Sequence, residues 1–350
     1  MQSPSVLSQA ASSDAGPHNV VMLDACRICG NRSVHRRYTA KEMMFGTREE
    51  FEYFLCGHCG CLQIKQIPHD VSRYYPPAYY SLSTSAPGVA YVPYPRRILE
   101  RLRVAHALFG RGRLLAELAA YLTDYPEDWR RFEPFLQRCA LKRSDARFLD
   151  VGCGSRSWWL EGLGRLGFSN LIGVDPHIDR SVAYDGIRIQ KGEVGEIADV
   201  FDVITLHHSL EHIPDQLGTL RVLRALLKPT GVCIVRLPLV SSLVWEMYGT
   251  DWVELDAPRH FYLHSSDSME KLADMAGFSI EHTMWDSTAF EFYGSEQYRR
   301  GIPLLAENSF SAHPDKSDFT YQEMARFAKL AERANKEGRG GRGCFFLRPS

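Results

Sequence analysis

The chain has 350 residues, 45% of them hydrophobic and 24% charged, with a formal net charge of −1. That composition describes a soluble protein with ample apolar material, on a length that suits one small and one ordinary domain. The absence of a basic excess argues against nucleic-acid partners, and the absence of an apolar run of bilayer length argues against membrane insertion.

Residues 1–22 are rich in Ser, Ala and polar side chains. They lack the charged start and apolar stretch of a signal peptide, so they read as a mobile tail on a cytoplasmic protein. In that reducing compartment the paired cysteines of residues 23–80 point to metal before disulfide. Two knuckles, Cys26-Arg27-Ile28-Cys29-Gly30 and Cys56-Gly57-His58-Cys59-Gly60, share one spacing. Two residues between cysteines let both thiolates face one ion, and the following glycine permits a turn that aims backbone amides at sulfur. Cys26, Cys29, Cys56 and Cys59 are therefore expected to hold a structural zinc in a closed tetrahedral site, stapling a domain too small for a large core. Cys61, Cys139, Cys153 and Cys233 read as core or loop thiols, and His58 as a surface residue.

Residues 81–95 carry Ser, Pro, Gly and Tyr and read as a linker. Beyond it, Ile98, Leu99, Leu102, Ala105, Leu108, Leu114, Leu115 and Leu118 fall at helical spacing, so 81–145 is expected to be a linker and helical connector. Six arginines between Arg96 and Arg113 make this stretch basic. It could meet an anionic membrane or a nucleotide-sugar, although a solvated face is the plainer reading. The aromatic runs Tyr74–Tyr80 and Phe290–Tyr298 are expected at a domain junction or a pocket wall.

From Arg147 short apolar runs alternate with helical segments. Strands are expected at 148–152, 170–175, 187–190, 201–206, 232–237, 278–285 and 343–349. The alternation predicts an α/β domain over 146–350, with a seven-stranded, largely parallel sheet covered on both faces. Residues 287–319 fit this scheme poorly and read as an insertion able to cover an active site.

In Phe148-Leu149-Asp150-Val151-Gly152-Cys153-Gly154-Ser155 a strand ends, glycines turn and a helix begins. Such glycines allow a ligand close to the backbone, and Asp175 at the next strand end can accept hydrogen bonds from ribose hydroxyls. Arg156 and bulky Ser157, Trp158 and Trp159 follow, which disfavours a pyrophosphate cradle, while Asp150 suits a cationic group.

The ordered set LDVGCGS, GVDP, FDVITLHHSLEHI and LLKPTGVCIVRLP resembles the successive motifs of class I S-adenosylmethionine-dependent methyltransferases, closely over about 145–285. DAPRHFYLHSSDSMEKLADMAGF resembles the corresponding region of bacterial small-molecule members, and CRICG…CGHCG resembles the zinc-binding domain that precedes some sugar methyltransferases. The resemblance implies a Rossmann-like sheet with S-adenosylmethionine as methyl donor. Asp150, Gly152 and Gly154 would line its methionine part, Asp175 its ribose and Glu193 its adenine, with Leu206 and His207 beside the reacting methyl. It further implies a small-molecule acceptor, a sugar, sugar nucleotide or natural product methylated on oxygen. Carbon is an alternative. An RNA or protein methyltransferase and a non-catalytic binding module stay open.

Methylating a hydroxyl requires a base, and histidine suits that at neutral pH. His208 is the first candidate because it lies just past the fourth strand, His260 the second, and His212 the third, with Glu211 placed to orient one of them. His208-Ser209-Leu210-Glu211-His212 also matches the H-x-x-E-H pattern of certain zinc peptidases, a reading its position within the methyltransferase motif disfavours. Arg259 could bind a substrate anion or serve as an ordinary ion-pair partner.

Overall fold

A computed structural model describes residues 24–76 and 93–350. The tail expected over 1–22, the linker as far as 92 and the aromatic residues 77–80 lie outside the described residues. Near the N-terminus three strands pair antiparallel: β1 (Arg36–Lys41), β2 (Glu50–Leu55) and β3 (Leu62–Ile64). Three helices follow, α1 (Tyr94–Phe109), α2 (Arg113–Ala120) and α3 (Glu127–Leu136).

The remainder alternates as expected. β4 (Arg147–Val151), α4 (Trp158–Leu166), β5 (Asn170–Asp175), β6 (Val182–Tyr184), β7 (Ile187–Lys191) and β8 (Phe201–His207) lead to α5 (Gln216–Leu226) and β9 (Leu227–Pro238). After α6 (Leu243–Tyr248) come β10 (Tyr262–Leu263), α7 (Ser266–Met275), β11 (Phe278–Trp285), α8 (Ala289–Arg299), α9 (Tyr321–Lys336) and β12 (Arg342–Pro349). The large sheet runs β11-β12-β9-β8-β4-β5-β7-β6. From β9 to β7 neighbours are parallel, whereas β12 is antiparallel to both of its neighbours.

The sheet therefore has eight strands, not the expected seven. The addition is β6, which turns back onto β7 through Asp185 and Gly186, both at positive φ (48° and 81°). This Asp-Gly pair suits the tight turn between antiparallel strands. A three-residue strand is too short to show a period of two, which is why the hydrophobic pattern missed it.

Both faces of the sheet are covered, so its inner strands are near-continuous apolar runs. On one face α1, α3 and α4 bury Val104, Trp129, Phe132, Phe135, Trp159 and Leu163 against Phe148, Val203 and Phe346. Phe132 stacks on Trp159 (centroids 4.5 Å apart), and a Cβ on Gly162 would lie 2.3 Å from the Phe132 ring. The connector helix α3 is thus part of the core. α2 behaves differently: Ala116 and Ala119 are buried, while Leu114, Leu115 and Leu118 face outward.

The other face carries α5 and α7, and its core runs without a break into the cysteine-bearing region. β3 pairs with β10, so the small sheet takes its fourth strand from far along the chain. Arg259 ties the same junction together. Its guanidinium donates to Asp256, to the Tyr74 carbonyl and, at 2.9 Å, to Glu42, whose side chain is fully buried like that of Arg259. Arg259 is therefore an ion-pair partner in this structure. The expected insertion contains α8, whose following loop lies on the N-terminal region, with Leu304 and Leu305 amides donating to the carbonyls of Met43 and Met44. Among the described residues, no helix is long and apolar enough to cross a membrane.

Candidate active site and metal centre

The sheet order reverses between β4 and β8, and in open α/β sheets the crevice at the carboxyl ends of such strands is where ligands bind. β4 ends in the glycine turn. Gly152 (φ 70°) and Gly154 (φ 68°) occupy the left-handed region. A Cβ on Gly152 would come within 2.5 Å of the Ser209 Cβ, and Ser209 in turn donates to the Val151 carbonyl at 2.8 Å. The segment after β8 thus lies against the glycine turn. Gly152→Ala is expected to weaken S-adenosylmethionine binding at least tenfold, since it combines a disfavoured φ with that clash. Calorimetry checks this, and Ser209→Gly in the same chain should restore part of the affinity.

Two carboxylates organise the turn. Asp175 accepts from the amides of Gly154 and His177, each at 2.8 Å. Asp150 is buried and accepts from Ser157 Oγ (2.6 Å) and Thr205 Oγ1 (2.7 Å). Burial pushes the Asp150 carboxyl up to about 6, against the pull of those two donors. Ser157 also caps α4, accepting from the Leu160 amide. Arg156 sits outside the turn, paired with Glu161 and lying over the Tyr184 ring.

Glu193 follows β7, on the strand end beside Asp175, and caps the short turn Val194–Glu196. A groove of about 510 Å³ opens there, lined by Glu193, Val194, Ile213, Pro214, Asp215 and Gly218 among others. Among the described residues neither Asp175 nor Glu193 has a cationic partner. An acidic strand-end pair beside a glycine turn fits a diol, an adenine amine and a sulfonium better than a pyrophosphate. Leu206 is fully buried and exposes no surface to the crevice, unlike the expectation for it. The His207 ring packs against Trp158, Trp159 and Phe135, with neither nitrogen hydrogen-bonded among the described residues. Burial and the nearby Arg236 and Arg131 push it well below the usual histidine range.

The three candidate histidines converge on one carboxyl group. Glu211 is fully buried, and neither of its oxygens has a hydrogen-bond partner among the described residues. His208 Nδ1 lies 3.3 Å and His260 Nε2 4.0 Å from Glu211 Oε1. The rings of His212 and His260 are 4.7 Å apart. His260 Nδ1 donates to the Glu254 carbonyl (2.7 Å) and His212 Nδ1 to the Arg259 carbonyl (2.9 Å), which assigns the proton to Nδ1 in both rings and leaves Nε2 as the acceptor. Burial and Arg236 push His208 well below its usual range, and burial pushes His212 down to about 3. All are neutral at pH 7. Sequence reasoning missed Asp256, 3.9 Å from His260 Nε2, and Tyr75, whose hydroxyl meets His212 Nδ1 at 3.0 Å. Asp256 opens the DAPRHF segment but was given no role there, and Tyr75 stood only in an aromatic run.

The cysteines meet at the base of the small sheet. Sγ atoms of Cys26 and Cys59 are 3.6 Å apart, as are those of Cys29 and Cys56, and all four lie within 4.8 Å of one another. A tetrahedral zinc with bonds of about 2.3 Å needs sulfurs about 3.8 Å apart, so the residues fit that ion. The surroundings suit thiolates. Gln63 Nε2 donates to Cys26 Sγ (2.8 Å), and the amides of Cys29 and His58 point at Cys26 and Cys56. The Cys59 thiol, hydrogen-bonded to Cys26, draws the latter down to about 4. Cys61 turns instead to the Leu62 carbonyl, in the core.

Comparison with known proteins agrees with this picture. A family model described as a methyltransferase domain matches residues 121–283. The chain is 31% identical over 154 residues to a ubiquinone biosynthesis O-methyltransferase of Psychrobacter arcticus, covering 38% of this chain and 59% of that protein. It is 30% identical over 190 residues to a demethylmenaquinone methyltransferase of Bacillus velezensis, covering 48% and 76%. The chain thus spans about three-fifths of the length of the ubiquinone relative. Among solved structures, a SAM dependent methyltransferase from Archaeoglobus fulgidus aligns with 69% of this chain and 96% of its own, at 17% identity and a TM-score of 0.39. With the strand order, the glycine turn and the matched sequences together, the chain belongs to the class I S-adenosylmethionine-dependent methyltransferases.

Proposed function

We propose that this chain transfers a methyl group from S-adenosylmethionine to a hydroxyl of a small-molecule acceptor. The observation that carries the reading is His208, a neutral imidazole held against buried Glu211 at the carboxyl end of β8, beside the glycine turn. Bound in the crevice, S-adenosylmethionine would supply an electrophilic methyl on a sulfonium. Asp175 and Glu193 would hold its ribose and adenine, and the turn at Gly152 and Gly154 would admit its methionine part.

His208 then accepts the hydroxyl proton through Nε2, while Nδ1 faces Glu211. The sulfonium would supply its methyl to that oxygen and end as a neutral thioether, while His208 holds the proton. His260 and His212 lie beside the same carboxyl group, with Nε2 free of the proton that their backbone partners hold on Nδ1. One relative is a ubiquinone biosynthesis O-methyltransferase, which makes a ring hydroxyl a candidate beside the hydroxyl of a sugar or sugar nucleotide. The four-cysteine site would hold a structural zinc, with no open position for chemistry.

Calorimetric titration of the purified chain with S-adenosylmethionine and its demethylated product tests the reading. Micromolar binding is expected, and Asp175→Ala should weaken it roughly tenfold to a hundredfold by removing charge-assisted bonds to the ribose. A folded wild type that binds neither ligand, with or without candidate acceptors, would refute the catalytic reading and favour a non-catalytic binding module.

A further inference from the structure

The outer face of α2 is apolar where solvent should demand polarity. Leu114, Leu115, Leu118, Tyr121 and Leu122 are each between 56% and 89% exposed. Half of the large hydrophobic side chains that the described residues expose lie between Tyr94 and Leu122. The helix is amphipathic in an inverted sense. Alanines 116 and 119 meet the rest of the protein, and the leucines face away. Core packing does not account for this, and a contiguous patch of this kind marks an interaction surface.

The segment that carries the patch is basic. Six arginines stand between Arg96 and Arg113, against Glu100 and Glu117 between Tyr94 and Leu122. Arg96, Arg97, Arg111 and Arg113 are exposed. Arg96 and Arg113 pair with Glu100 and Glu117, whereas Arg97 and Arg111 have no carboxylate partner among the described residues. The hairpin's position is fixed: Arg101 donates to the Gly164 carbonyl at the end of α4, and Phe109 packs edge-on against Phe168. α2 is thus a mounted surface with leucines outward, on an arginine-rich hairpin.

We propose that the α1–α2 hairpin docks this chain on an anionic membrane surface. The leucines and Tyr121 would enter the boundary between headgroups and acyl chains, and the arginines would pair with acidic headgroups. Charge complementarity selects this occupant over a second copy. A two-fold contact through the patch would bring two arginine-rich hairpins together, with only two glutamates in each to offset them. Docking of this kind needs no spanning helix. It would bring the crevice to acceptors that reside in or at a membrane, and it goes beyond the methyl-transfer reading without depending on it.

The test is flotation of the full-length, zinc-loaded chain with two kinds of vesicle, phosphatidylcholine alone and phosphatidylcholine with about one-third phosphatidylglycerol. Partitioning is expected to be roughly tenfold stronger on the anionic vesicles and to fall as salt rises. The triple change Leu114→Ser, Leu118→Ser, Leu122→Ser and, separately, Arg97→Glu with Arg111→Glu should each lower it roughly tenfold. The substituted residues are exposed, so melting curves and S-adenosylmethionine binding should stay at wild-type values. Absence of the wild type from both floated fractions would overturn the proposal, as would recovery that neither variant changes. A concentration-dependent dimer that the serine variant dissolves, with no flotation, would assign the patch to a second copy and overturn it equally. Because cofactor binding is read separately, neither result bears on the methyl-transfer reading.

Discussion

Replacing His208 with asparagine is expected to lower kcat by roughly 10²–10⁴-fold, the usual worth of a general base, while leaving S-adenosylmethionine affinity within about twofold. Asparagine is the informative substitution because His208 has a φ of 53°, a left-handed conformation that few residues other than glycine and asparagine accept easily. A loss of rate then reports the missing imidazole and not a displaced strand end. The pH profile supplies a second check. Burial, reinforced by Arg236, pushes His208 well below the ordinary histidine range. If His208 is the proposed base, the acid limb of the wild-type kcat profile should lie well below about pH 6.5. A limb centred there would mean that a solvated histidine, or none of this cluster, removes the proton.

Glu211 gives the same site a signature in stability. Burial pushes its carboxyl up to about 8, with Glu254 adding to the rise and Arg236 opposing it. Because the folded-state value lies above the unfolded one, the contribution to stability is fully present below the ordinary carboxylate range and is lost as pH rises through about 8. Glu211→Gln removes that dependence. Its melting temperature should match or exceed the wild type at about pH 8.5, with no comparable gain near pH 5. A variant less stable than the wild type at high pH would show that the native carboxylate is ionised and well compensated.

Loss of the four-cysteine metal centre should have the largest effect on the fold. Cys59→Ser is expected to reduce bound zinc from one per chain to none, to lower the melting temperature sharply and to abolish methyl transfer. Structural zinc contributes on the order of 10–16 kcal/mol to isolated small modules at pH 7. Here the consequence reaches the active site through specific bonds. Ser265 Oγ donates to the Cys59 carbonyl, Tyr53 donates to the His260 carbonyl at 2.9 Å, and β3 pairs with β10 immediately after His260. The segment that supplies His260 is therefore held by the cysteine-bearing sheet. Cys61→Ala is the matched control, because that thiol is buried beside the cluster but outside it. Elemental analysis with thermal melts decides the matter. A Cys59→Ser chain that stays folded and active without zinc would show that the cluster is dispensable.

Signals confined to one short stretch of chain were legible in the sequence. The paired knuckles at Cys26 and Cys56, the glycine turn after β4 and the acid at the end of β5 each place their chemistry within a few residues. β11 falls on the expected 278–285, and most other large-sheet strands fall within one or two residues of expectation. Longer β9 and the three-residue β6 are the departures. Periodicity could not say what a helical face meets. Leu114 and Leu118 carry the spacing of a core helix, yet only the packing of Ala116 and Ala119 against the protein showed that the leucines face outward.

The amino-acid sequence by itself therefore determined the alternating elements, the glycine turn and the two cysteine knuckles, because each depends on backbone geometry and spacing over short distances. The tertiary structure alone decided which histidines share a carboxyl group, that Arg259 is spent on Glu42 and Asp256, and that the small sheet borrows its fourth strand from beside the active site. Those outcomes depend on which distant segments exclude water together. Burial then sets whether a carboxyl such as Glu211 is an ordinary surface charge or a proton-holding group at the centre of three imidazoles.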